Sequence, residues 1–143
     1  MADRGEHQVK ILLVDNDRGD LCLYQSVLQR LGCRVYAISS YGEALSCLTS
    51  KQFDLVIVDQ GSSAFEAKGI LQKAMEIDRR LPVLVLTRHL DMGCDLEAMQ
   101  LGAVDYVEKP LKADEMIRAV KTHLDASARS RLNQRAESLG ASQ

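Results

Sequence analysis

Short apolar runs alternate with longer amphipathic stretches along the whole chain. The runs Val9–Val14, Arg34–Ile38, Asp54–Val58, Val83–Thr87 and Val104–Val107 are rich in Val, Ile and Leu and are bounded by polar or glycine residues. Such runs read as strands buried on both faces, as in parallel sheets. Between them, apolar residues recur at helical spacing. Gly19–Leu31 places Leu21, Tyr24, Val27, Leu28 and Leu31 on one side, with Gly32 as a stop signal. Tyr41–Ser50 carries Ala44, Leu45 and Leu48 after the N-cap candidate Ser40. Glu66–Asp78 carries Ile70, Leu71, Ala74 and Met75. Asp95–Gln100 is a short helix, and Ala113–Leu124 carries Met116, Ile117, Val120 and Leu124.

Five β-α repeats predict an α/β fold: a doubly wound five-stranded parallel sheet with helices on both faces. Right-handed crossovers and short loops favour a flavodoxin-like strand order 2-1-3-4-5. That order brings the ends of strands 1, 3 and 5 together, where open α/β sheets bind ligands. Those ends carry Asp15-Asn16-Asp17, Asp59 and Lys109-Pro110. An acid cluster, a single acid and a lysine on three strand ends suggest one Mg²⁺ and phosphate site. Read alone, Asp59 is equally a strand terminator or a helix cap, and Asp15 a loop acid at a turn.

Composition narrows the class. Of 143 residues, 46% are hydrophobic and 27% charged, enough for one domain with a real core rather than a disordered chain. A net charge of −2 leaves no electrostatic footprint for nucleic acid. Neither a signal peptide nor an apolar membrane span is legible, so the expected location is cytoplasmic. Cys22, Cys33, Cys47 and Cys94 form no CxxC pair, which argues against zinc and for reduced core thiols. Cys94 falls in a loop or at a helix start, and no function is attached to it. Residues 1–8 read as a polar tail, 9–125 as the domain, and 126–143 as a helical extension or a linker.

The segments Ile11-Leu12-Leu13-Val14-Asp15-Asn16-Asp17, Phe53 to Asp59, Pro82 to Thr87 and Gly102 to Pro110 together resemble the receiver domain of two-component response regulators. The resemblance runs from about Val9 to about Leu124. It implies a phosphoacceptor at Asp59, taking a phosphoryl group from a sensor histidine kinase or phosphotransfer protein. It implies Mg²⁺ held by Asp15, Asn16, Asp59 and the Gly61 carbonyl, with Lys109 and Thr87 binding the phosphoryl oxygens. Tyr106 would be an aromatic switch that turns inward as Thr87 moves, and the Lys109–Pro110 bond would be cis. Such a domain is a signalling module rather than an enzyme in the usual sense. Its output surface would be Asp91–Gln100, Val104–Val107 and Ala113–Leu124, which also offers a homodimer face, with no direct nucleic-acid or membrane contact.

Three positions depart from the family pattern. Asn16 stands where a second acid is usual, so the metal should bind more weakly; Asp17 should point elsewhere. Arg88 replaces the usual small residue after the threonine, where with His89 it would bind the phosphoryl group or limit access to Asp59. The loop Gln60 to Glu66 lacks the familiar proline turn. These departures motivate an alternative, a phosphorylation-independent pseudo-receiver acting as a protein–protein interaction module. A phosphohydrolase or flavin protein of the same architecture is disfavoured by the absence of a Gly-rich phosphate loop and by aromatics of only 4%.

Overall fold

A computed structural model describes residues 8–141, with side chains described through Gln134. Strand β1 (Lys10–Val14) leads to helix α1 (Arg18–Leu31), then β2 (Arg34–Ile38), α2 (Tyr41–Ser50), β3 (Leu55–Asp59) and α3 (Lys68–Ile77). After these come β4 (Val83–Thr87), α4 (Met92–Gln100), β5 (Asp105–Glu108), α5 (Ala113–His123) and α6 (Ala126–Ala141). The five strands form one parallel sheet in the order β2-β1-β3-β4-β5, the flavodoxin-like arrangement expected.

The continuous apolar runs are explained by the two faces they serve. Within β1, β3 and β4 successive side chains alternate between two cores, as the period of a strand requires. Leu12, Val14, Val56, Val58, Val83 and Val85 pack with residues of α2, α3 and α4 such as Leu48, Ile70, Leu71 and Ala98. Ile11, Leu13, Leu55, Ile57, Leu84 and Leu86 pack with Tyr24 and Leu28 of α1 and with Met116 and Val120 of α5. Cys94 is buried in the first core and Cys33 in the second, as core thiols should be, whereas Cys22 is exposed on α1, which corrects the core reading for that residue.

Local capping sets the helix ends. The Asp17 carboxylate accepts the Asp20 N–H at 3.0 Å, so α1 begins one residue before the expected Gly19. Gly32 closes α1 with a left-handed φ of 103°. Asp91 caps α4 by accepting the Cys94 N–H at 3.0 Å, which starts that helix at Met92 rather than Asp95. Helix α3 starts at Lys68 rather than Glu66. There the Glu66 carboxylate folds back onto the Ser62 N–H at 2.8 Å and the Ser62 hydroxyl at 2.7 Å, and Phe65 has φ 57°. Strand β3 runs one residue past Val58 to include Asp59, and β5 is displaced by one residue to 105–108.

The polar segment after Leu124 contributes to the core. The chain turns extended at Leu124, and Asp125 caps a new helix by accepting the Ala128 N–H at 2.7 Å. Ala128 and Leu132 of α6 are buried in the second core. Arg131 pairs with Asp54 at 2.7 Å, tying α6 to the loop that precedes β3. The same Asp54 carboxylate accepts the Lys10 N–H at 2.8 Å. Most of the tail expected over 1–8 lies outside the described residues, as do residues 142–143.

Candidate phosphoryl and metal site at the strand ends

Parallel register delivers the site. Val14 is paired with Val58, Asp59 with Leu86, and Thr87 with Glu108. Asp15, Asp59, Thr87 and Lys109 therefore emerge at one edge of the sheet. Lys109, with its side chain 1% exposed, stands at the centre. Its ammonium lies 2.8 Å from Asp15 Oδ2, 2.7 Å from Asp59 Oδ1 and 2.8 Å from Asp20 Oδ2. The Lys109–Pro110 bond is cis.

The remaining carboxylate oxygens are also held. Asp15 Oδ1 accepts the Asp17 N–H at 2.9 Å, and Asp59 Oδ2 accepts the Gly61 N–H at 2.9 Å. Gly61 adopts φ 88°, and a Cβ there would lie 2.8 Å from Glu66 Oε1, so this turn requires glycine. The Tyr41 hydroxyl donates to the Asp59 carbonyl at 2.9 Å. Asn16 is exposed at the rim, beside Asp17, whose side chain has turned to cap α1.

Charge balance follows from burial and these contacts. Burial pushes the Asp15 carboxyl up, against the opposing pull of Lys109 and the Asp17 N–H. Burial alone would lower the pKa of Lys109, but the hydrogen bonds it donates to Asp15, Asp20 and Asp59 raise it above its ordinary value. The lysine is therefore a fixed cation at neutral pH. The backbone N–H of Asp20 holds the Asp17 carboxyl below its ordinary value.

The outer residues are engaged with one another. The Thr87 hydroxyl donates to the His89 carbonyl at 2.9 Å and accepts the His89 N–H at 3.1 Å, so it is turned to its own loop. The His89 side chain is not brought into the site by any described hydrogen bond or ion pair, and the residue is exposed. Tyr106 is buried, its hydroxyl accepting the Asp91 N–H at 3.2 Å and donating to Gln60 Oε1. The ring is thus already inward while Thr87 is bonded to His89. Arg88 is turned to Asp20 rather than to Asp59: its Nη2 donates to the two Asp20 carboxylate oxygens at 2.5 and 2.6 Å.

Asp20 and Gln60 escaped the sequence reading. Both are buried polar residues, at 8% and 3% exposure, and both complete contacts inside the site. Asp20 had a legible signal, because Asp20, Tyr24 and Leu28 lie four residues apart on the buried stripe of α1. An acid in line with a core stripe calls for a buried cation. Gln60 carried no such periodic signal.

The donors that the family resemblance names, from Asp15, Asn16, Asp59 and the Gly61 carbonyl, are all oxygen and would suit a hard cation. Among the described residues, no group of three or more His, Cys, Asp or Glu is arranged to hold a metal ion. With Asn16 neutral, the site offers Asp15 and Asp59. Mg²⁺ keeps several waters and needs only one or two protein carboxylates, so these residues fit it.

Comparisons agree with the geometry. A family profile described as the response regulator receiver domain matches residues 11–121. Sporulation initiation phosphotransferase F of Bacillus subtilis (strain 168) is 30% identical over 115 residues, covering 80% of this chain and 93% of that protein. Transcriptional regulatory protein ZraR of Klebsiella oxytoca is 32% identical over 109 residues, covering 76% of this chain and 25% of that protein. The chain thus spans about a quarter of the length of that regulator. A response regulator receiver domain from Methanospirillum hungatei JF-1 superposes with TM-score 0.79 at 23% identity, covering 86% of this chain and 98% of that one, and shares its fold. Sheet order, strand-end chemistry and these matches converge: the chain belongs to the response regulator receiver domain family.

Proposed function

We propose that the chain is a phosphorylation-switched receiver, with Asp59 the phosphoacceptor and a histidine kinase or phosphotransfer protein the donor. One observation carries this reading: the Asp59 carboxylate ends a central strand within 2.7 Å of a buried lysine that also binds Asp15. Phosphoryl transfer needs positioning and charge neutralisation more than covalent help. An Asp59 oxygen attacks phosphorus, the bond to the donor breaks, and the donor leaves with its electron pair. Lys109 offers a compact ammonium to the transferred oxygens. Thr87 donates its hydroxyl to them after leaving His89. Asp15, Asn16, Asp59 and the Gly61 carbonyl would hold Mg²⁺, which supplies further positive charge where the phosphoryl group arrives.

The output face is α4, β5 and α5. Leu90, Met92, Leu96 and Met99 are all exposed there, and Met92 is 90% exposed. An apolar patch of this kind suits a partner or a second copy of the chain. Among the described residues, no helix is long and apolar enough to cross a membrane. The module acts in the cytoplasm and catalyses only its own phosphorylation and hydrolysis.

The test is intact mass and a phosphate-affinity gel after acetyl phosphate with Mg²⁺. One phosphoryl group is expected, absent in Asp59→Ala. An unmodified wild type, or modification surviving Asp59→Ala, would overturn the reading and favour a phosphorylation-independent interaction module.

A further inference from the structure

Lys109 has a donor problem. An ammonium has three N–H donors, and Asp15, Asp20 and Asp59 each approach it within 2.8 Å. A phosphoryl group on Asp59 can bind Lys109 well only if a carboxylate releases it. Asp59 itself carries the incoming group, and Asp15 stands beside it as a metal carboxylate. Asp20 is different. It belongs to α1, lies outside the metal set, and has a second cation already in place, because Arg88 Nη2 donates to both its oxygens.

Arg88 is fitted to that task and to little else. Its only other described ionic neighbour is Asp17, at 4.0 Å. Its side chain is 48% exposed, so it is neither core packing nor a plug over Asp59. Both contacts with Asp20 are charge-assisted hydrogen bonds from one guanidinium nitrogen, Nη2.

We propose that Asp20 is a positioning residue that competes with the phosphoryl group for Lys109, and that Arg88 acts through it. Arg88 neutralises Asp20, so that Asp20 gives up Lys109 when Asp59 is phosphorylated. The guanidinium therefore serves phosphoryl uptake without touching the phosphoryl group. The transfer itself is balanced: with acetyl phosphate, the Asp59 oxygen–phosphorus bond forms, the acetyl oxygen–phosphorus bond breaks, and acetate leaves with the electron pair. This inference rests on the reading of Asp59 as phosphoacceptor.

The experiment measures phosphorylation rate with acetyl phosphate and Mg²⁺, and beryllofluoride affinity by ¹⁹F NMR, across Asp20→Asn, Arg88→Ala and the double variant. Circular dichroism first verifies that each is folded. Arg88→Ala should slow uptake and weaken beryllofluoride by about tenfold, the scale of one unmasked charge near a protein surface. Asp20→Asn should speed uptake, an outcome that a purely structural acid would not produce. The double variant should match Asp20→Asn, because Arg88 has nothing left to neutralise. An uptake in Asp20→Asn no faster than wild type overturns the proposal. So does an Arg88→Ala loss that persists unchanged in the Asp20→Asn background, which would put Arg88 on the phosphoryl group itself. If neither wild type nor Asp20→Asn is modified, the phosphoacceptor reading fails and the proposal with it. If wild type is modified and the predicted ordering is missing, the proposal alone fails.

Discussion

Replacing Lys109 with methionine keeps the length of the side chain and removes its charge. The structure leaves three carboxylates, from Asp15, Asp20 and Asp59, converging on the lost ammonium at 2.7–2.8 Å. Removing one partner of a buried ion pair costs about 3–5 kcal/mol, because the other charge stays desolvated. For a domain of this size that lowers the melting temperature by roughly 10–20 °C at pH 8. The deficit must depend on pH. In wild type, the raised pKa of Lys109 makes its contribution complete below the ordinary value of 10.5, hence constant between pH 5 and 8. In the variant, burial already pushes Asp15 above 3.8, and the cation that opposed this is gone. A carboxyl raised in the folded state favours folding at low pH, and that advantage is lost as pH rises through its folded pKa. The variant's deficit should therefore shrink as the pH falls through the carboxyl's raised folded pKa. The assay is urea unfolding followed by far-UV circular dichroism, since the chain has no tryptophan. A deficit under about 1 kcal/mol at pH 8, which is too small for a buried pair, or one that shrinks at no lower pH where both proteins are folded, would refute the reasoning.

Three further outcomes follow from the same geometry. Leu132→Ala should cost about 2–4 kcal/mol in urea unfolding, because the side chain is 1% exposed in the core; a loss under about 0.5 kcal/mol, surface-like, means α6 is not docked. Hydrogen bonds from Ser62 hold Glu66 below its ordinary 4.5, so its stabilisation is present above that value and fades as pH falls through the folded pKa. Thermal melts at pH 7 and pH 3.5 should therefore diverge less in Glu66→Gln than in wild type, and equal divergence would count against the Ser62 contact. Gly102→Ala places a side chain at φ 106° with its Cβ 2.8 Å from Met75 Sδ. The thioether can yield, so the left-handed backbone dominates and the loss should be about 1–2 kcal/mol by urea unfolding; a stabilised variant contradicts this.

Much of the molecule was legible in its amino acids. The five apolar runs and the stripes between them named the strands, the helices and the sheet order, because periodicity is a local property and parallel sheets admit few topologies. Capping moved several helix starts by up to three residues, since Asp17, Asp91 and the Glu66–Ser62 contact act at ends where periodicity is silent. The segment after Leu124 changed character. A polar, basic stretch looks solvent-facing until the core that receives Ala128 and Leu132 is present.

The sequence by itself determined that Asp15, Asp59, Thr87 and Lys109 stand on strand ends, since each ends or closely follows an apolar run. Only the tertiary structure decided who binds whom among them. Arg88 meets Asp20 across 68 residues, Lys109 meets Asp20 across 89, and Arg131 meets Asp54 across 77. No local pattern encodes such pairs. Asp20 and Lys109 are buried, and a buried charge must find its counter-charge wherever the folded chain brings one.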